Sequence, residues 1–159
     1  MPSQVILRLK CDQYLIRYLE TLYGDQPIVF PKKSHFSKFL DVFLLQPPLD
    51  YVETDHGENT LSILLPYFED KDVRSYNYLT KKRQEAFINE IRKHFKITYR
   101  SEIAKSLVCG LDRQDALAIF IEKYNLSQDT WDFLEKDFQR YLKLRRYHGL
   151  SKINKNSSD

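Results

Sequence analysis

A mainly α protein with a few short β-strands, an α+β fold in two small parts, is what this sequence predicts, and three observations predict it. Apolar residues recur at three- and four-residue spacing in several separate stretches, whereas strict alternation occurs at the start of the chain, over Val5 to Lys10. Polar residues suited to cap helices (Asp12, Ser34, Thr80, Asp112) stand just before apolar stripes, and Gly24, Gly110 and the Pro47-Pro48 pair stand where stripes stop. The 159 residues are 42% hydrophobic and 30% charged, a balance that suits a folded chain and argues against disorder.

The elements follow in order. In Val5 to Lys10, Val5, Leu7 and Leu9 point one way and Ile6, Arg8 and Lys10 the other, the period of a half-buried strand. Asp12 caps a helix whose stripe is Tyr14, Leu15, Tyr18, Leu19 and Leu22, stopping at Gly24. The run PIVFP, residues 27–31, is extended and suits a short edge strand because prolines bound it. Ser34 caps a second helix carrying Phe36, Phe39, Leu40, Phe43 and Leu44, which Pro47 and Pro48 end. Residues 49–60 (LDYVETDHGENT) are acidic and loop-like and mark the best boundary between a strand-helix-helix part, 1–48, and a helical part, 61–148.

In the second part, residues 61–68 (LSILLPYF) read as a short strand or packed linker broken by Pro66. Thr80 caps a helix to about Lys96 with Phe87, Ile88, Ile91 and Phe95 on its buried stripe. A separate short helix is expected over 101–108, ended by Gly110. Asp112 caps the next, with Ala116, Leu117, Phe120 and Tyr124 in register. After a turn at 125–128, a long helix runs from Asp129 to about Arg146, and residues 149–159 form a flexible tail.

Several functional classes are disfavoured. No apolar run approaches the roughly 20 residues of a membrane span, and MPSQVILRLK lacks the pattern of a signal peptide, so the expectation is a cytoplasmic chain without membrane contact. Cys11 and Cys109 are too far apart in sequence for a metal-ligand pair, and the four histidines are scattered, so no metal or other cofactor is expected. There is no phosphate-binding glycine loop and there are only 4 Gly in all. Glu69, Asp70 and Asp72 suggest a divalent-metal nuclease and Tyr76 and Tyr78 a tyrosine nucleophile, but neither set has its usual companions. The chain reads as no enzyme, with no catalytic residue.

Charge is segregated. The net charge is only +3, yet Asp50 to Asp72 holds seven acids against Lys71 alone. Thr80 to Lys105 holds eight bases (Lys81, Lys82, Arg83, Arg92, Lys93, Lys96, Arg100, Lys105) against Glu85, Glu90 and Glu102. Arg140 to Lys155 holds Arg140, Lys143, Arg145, Arg146, Lys152 and Lys155 and no acid. Such a distribution makes a basic face on a nearly neutral protein and attracts phosphate; a solvated helix surface with a basic tail is the plainer reading. The 11 Tyr, 10 Phe and 1 Trp fall mostly on helical stripes, so most are core.

VILRLK, then DQYLIRYLETLYG, then SHFSKFLDVFLLQ, over residues 5–46, resembles the ribbon-helix-helix DNA-binding family. The resemblance implies a homodimer whose paired strands enter the major groove, with Ile6, Arg8 and Lys10 facing bases. It also implies a phosphate grip at Lys32, Lys33 and Ser34, where the second helix offers free backbone N–H groups. The PIVFP insert makes the link between helices longer than the family's. A common β-α-β-α subdomain has the same order of elements.

A second stretch, EKYNLSQDTWDFLEKDFQRY within residues 116–146, resembles a helix-turn-helix, with Asn125, Leu126 and Ser127 in its turn and Trp131 and Leu134 on its buried side. Ile121 is bulky where that motif has a small residue, and Asp129, Asp132, Glu135 and Asp137 line its second helix, so an ordinary αα-hairpin is the competing reading. Together the resemblances imply a small bacterial or phage/mobile-element DNA-binding protein, a transcriptional regulator or accessory factor. Phosphate contacts are expected from Lys32, Lys33, Arg92, Lys93, Lys96, Arg140, Lys143, Arg145 and Arg146, and base contacts from Arg8 and Lys10. The alternative is a protein–protein adaptor that docks a partner through its aromatic stripes.

Overall fold

A computed structural model describes residues 4–156, with side chains through Arg145. Among the described residues it is mainly α, with five α-helices and one small antiparallel sheet. The elements are β1 (Ile6–Lys10), α1 (Gln13–Tyr23), α2 (His35–Phe43), a 3-10 turn (Gly57–Asn59), β2 (Thr60–Leu64), α3 (Lys81–Val108), α4 (Arg113–Lys123) and α5 (Gln128–Asn156).

The chain divides into two compact units, 1–98 and 99–159. The division falls inside α3, not at the acidic stretch 49–60 where composition places it. That stretch is tied into the first unit: the Cys11 N–H donates to the Asn59 carbonyl at 2.8 Å, and Arg8 reaches Glu53 at 3.3 Å. An acidic, loop-rich composition marks solvent exposure, and exposure alone does not make a boundary.

In the first unit β1 pairs with β2, Ile6 opposite Leu64 and Lys10 opposite Thr60. The strand that the ribbon resemblance pairs with a second copy thus has a partner within its own chain. Ile28 of the PIVFP run bonds the opposite edge of β2: its N–H donates to the Ser62 carbonyl at 2.8 Å and its carbonyl accepts from the Leu64 N–H at 2.9 Å. The proline-bounded run therefore adds one residue of edge pairing, as its lost N–H groups require. Alternation holds along β1, with Leu7 and Leu9 buried and Arg8 and Lys10 exposed.

Leu15, Ile16, Tyr18 and Leu19 of α1 are buried, whereas Leu22 of the expected stripe is exposed and Ile16 takes its place in the core. Gly24 ends α1 at φ +98°, backbone that an L side chain rarely adopts. Ser34 caps α2 through its Oγ, which accepts from the Ser37 N–H at 3.2 Å. Aromatic rings knit this core: Phe30 meets Phe36 at 5.1 Å and Phe39 meets Phe87 at 5.3 Å in tilted pairs, and Tyr18 meets Phe95 edge to face at 5.1 Å.

In the second unit the end of α3 packs with α4 and α5 around Tyr99, Ile103, Leu117, Phe120, Leu134 and Phe138, all buried. Asp112 caps α4, accepting from the Asp115 N–H at 2.8 Å. Asn125 in the following turn has φ +52°, which asparagine tolerates better than most residues. Arg100 pairs with Asp137 at 3.1 Å and stacks over Tyr141, and Lys123 pairs with Glu102 at 2.7 Å.

Two helix limits differ from expectation. The separate helix at 101–108 is the end of the continuous α3, and α5 continues through Asn156 over most of the expected tail. Residues 157–159 of that tail lie outside the described residues. No helix among the described residues is long and apolar enough to cross a membrane.

Candidate nucleic-acid interface

The outward face of β1 forms one wall of a cleft of about 430 Å³ in the first unit. Because Leu7 and Leu9 point into the core, Arg8 and Lys10 must point out, and they line this wall with Cys11 and Asp12 at the strand end. The facing wall is the start of α3: Lys81, Gln84, Glu85, Ile88 and Arg92 recur at helical spacing along one side. Tyr51, Thr54, His56 and Asn59, with Tyr78, complete the rim.

Local bonding holds these groups in place. The Tyr78 N–H and carbonyl both bond to Leu45, at 3.0 and 2.8 Å, which fixes its backbone. Its ring meets Tyr51 edge to face at 4.8 Å, and Tyr51 remains 43% exposed. Thr80 caps α3, its Oγ1 accepting from the Arg83 N–H at 3.2 Å, which sets Lys81 at the first turn. The Gln84 amide nitrogen donates to the Leu79 carbonyl at 2.9 Å, which holds the side chain of this cleft-lining residue in place.

The four cations of the cleft are not equivalent. Arg8 is paired with Glu53 at 3.3 Å. Arg92 reaches the Asp12 carboxylate at 3.2 Å and the Asn89 amide oxygen at 2.8 Å, which explains why Asp12, although at the helix start, makes no side-chain cap to α1. Among the described residues no ion pair engages Lys10 or Lys81, and both are exposed. Their charge is available to a ligand. Cys11 is 2% exposed, and burial, reinforced by the Asp12 charge and opposed by Arg92, pushes its thiol up to about 12. It is a neutral part of the wall and not a nucleophile.

Of the residues expected to touch nucleic acid, the structure gathers Arg8, Lys10 and Arg92 in this cleft. The others are elsewhere. Lys32 and Lys33 are exposed ahead of α2, with Lys32 5.8 Å over the Tyr67 ring. Ser34 spends its hydroxyl on the cap of α2. Lys93 pairs with Glu90 at 3.2 Å, and Lys96 is exposed. Arg140, Lys143 and Arg145 are exposed on α5 in the second unit, while the side chains of Arg146, Lys152 and Lys155 lie outside the described residues. Part of the basic run in α3 is structural: Arg83 donates to the Phe43 carbonyl at 2.7 Å, and Arg100 holds Asp137.

Sequence reasoning missed Tyr51, Lys81 as a cleft residue, Gln84, His56 and Asn59. The one signal available was Tyr51, a large aromatic inside an otherwise polar acidic stretch. A second hollow of about 660 Å³ lies along residues 64–74 and includes Glu69, Asp70 and Asp72. There Arg74 beside Asp72, at 2.9 Å, holds its carboxyl below the usual range. Among the described residues no group of three His, Cys, Asp or Glu side chains is gathered to hold a metal. Compared with known proteins, the chain matches no family model, no curated protein and no solved structure.

Proposed function

We propose that this protein binds DNA, as a small cytoplasmic regulator or accessory factor of bacterial or phage type, and that it acts by phosphate neutralisation and not by catalysis. One observation carries this reading: Arg8, Lys10, Lys81 and Arg92, from a strand and a helix far apart in sequence, converge on one tyrosine-lined cleft. Two of the four have no carboxylate partner among the described residues, which favours an anionic ligand. The exposed Arg140, Lys143 and Arg145 on α5 supply a second set of phosphate contacts.

The test is fluorescence-polarisation binding of the full chain to labelled DNA. Affinity should fall roughly a hundredfold or more between about 50 and 200 mM salt, as expected when several phosphates are neutralised. Absence of binding at the lower salt overturns the proposal. The exposed Leu49 and Val52, apolar residues within the acidic loop, favour the second reading, an adaptor whose partner covers them. Binding driven by apolar burial survives salt that strips a protein from DNA, so the same titration, run against a captured partner chain, separates the two.

A further inference from the structure

The cleft carries features that phosphate attraction alone does not require. We propose that it receives one unpaired nucleotide of a single strand, with the base against Tyr51 and the flanking phosphates on Lys10 and Lys81; this rests on the DNA-binding reading above and names its preferred substrate.

Three observations lead there. The volume of about 430 Å³ lies in the range of small-ligand sites, roughly 300–1,000 Å³, and suits one nucleotide better than the side of a duplex. The edge-to-face contact with Tyr78 braces the Tyr51 ring, which is still 43% exposed; a rigid, half-exposed ring is a stacking surface for a base with an open face. In a duplex both faces of each base are already stacked on neighbours, so such a ring has nothing to bind. Asn59 and Gln84 line the same cleft as the tyrosines and carry amides, groups that hydrogen-bond the edge of an unpaired base, with Ile88 as an apolar contact.

The cations divide the work. Arg8 and Arg92, held by Glu53 and Asp12, shape the walls. Lys10 and Lys81, one on each wall, bring unpaired charge to the two sides of the cleft. Asp12 and Glu85 also line it. Their repulsion limits how deep a phosphate can go and leaves the neutral base as the part of the ligand that enters.

The experiment compares a short labelled single-stranded oligonucleotide with the duplex of the same sequence, using the full-length protein and three variants. The wild type should bind the single strand more tightly. Tyr51→Ala should lower single-strand affinity about 5- to 100-fold, from the ~1–3 kcal/mol that stacking one base contributes, and lower duplex affinity by clearly less. Tyr51→Phe should keep the affinity. Lys10→Ala combined with Lys81→Ala should lower it and flatten the salt dependence. Thermal melts check that each variant is folded; Tyr51 is exposed enough that its truncation spares the core. If the duplex binds at least as well as the single strand and Tyr51→Ala changes neither, the cleft proposal is wrong while DNA binding stands. If the wild type binds neither at about 50 mM salt, both readings fall.

Discussion

His94, an exposed residue of α3 whose ring borders the core, shows how a single side chain couples packing to pH. Its Nδ1 lies 2.5 Å from the Tyr18 hydroxyl, which is also 2.7 Å from Thr98 Oγ1, and its ring meets Phe36 at 5.4 Å. Desolvation by these neighbours lowers the His94 pKa, and the nearby His35, itself paired with Glu90 at 3.1 Å, lowers it further. A histidine depressed in the folded state binds its proton more readily when unfolded. It therefore stabilises the protein above its unfolded value, near pH 6.5, and that stability is lost as pH falls. Melting temperature should drop between about pH 7.5 and pH 5.5, above the range where Glu90 and Asp72 titrate. His94→Phe should make that drop shallower; an unchanged drop would assign the acid sensitivity to other groups. At this scale the sequence was legible where one rule dominated, as for Arg8 and Lys10, whose outward direction follows from alternation. It was not legible for Tyr51 and Tyr78, which sit in loops with no period. It also misjudged Asp12, a good capping residue whose carboxylate is drawn to Arg92 instead.

At the scale of elements, α3 is the instructive departure. The sequence suggests a break near residues 97–100, because the stripe Phe87, Ile88, Ile91 and Phe95 is read as ending at about Lys96 and residues 101–108 as a separate short helix. Yet the buried stripe never lapses: Phe95 is followed at four-residue steps by Tyr99 and Ile103, both fully buried. Neither Gly nor Pro interrupts, and continuous burial outweighs a few tenths of a kcal/mol in local propensity. A substitution at Ile97, which is 70% exposed, separates the two descriptions. In a continuous helix Ile97→Pro costs about 3 kcal/mol or more, while Ile97→Ala is close to neutral, as read by urea denaturation. Equal stability of the two variants would mean that the helix is broken there. The acidic stretch 49–60 teaches the same lesson from the other side. Its composition is that of a linker, but backbone and ion-pair bonds to β1 hold it as one rim of the cleft, and long-range pairing of that kind leaves no local pattern in sequence.

For the whole molecule, the useful quantity is where uncompensated positive charge remains once internal pairs are satisfied. A net charge of +3 gives little hint, and the run at 81–105 overstates its share, because Arg83, Arg92, Lys93 and Arg100 each hold an internal partner. Of the exposed cations outside such pairs, one set, Lys10 and Lys81, lines the cleft of the first unit, apart from Lys32, Lys33, Lys38, Lys82 and Lys96 elsewhere on that unit. A second set, Arg140, Lys143 and Arg145, gathers on α5 of the second unit, apart from Lys105 and Lys136. Counterion release counts phosphates, so under the DNA-binding reading each set contributes its own part of the salt dependence. Removing a cation that touches phosphate reduces the slope of log affinity against log salt by about 0.9 on duplex DNA and about 0.7 on a single strand. Lys10→Ala with Lys81→Ala, and separately Arg140→Ala with Lys143→Ala, should each flatten the single-strand slope by about 1.4, and the four changes together by about twice that. Binding titrations across a salt series read all three slopes directly. A quadruple variant no flatter than one of the doubles would show that a single unit meets the nucleic acid, and the double that changed the slope would say which.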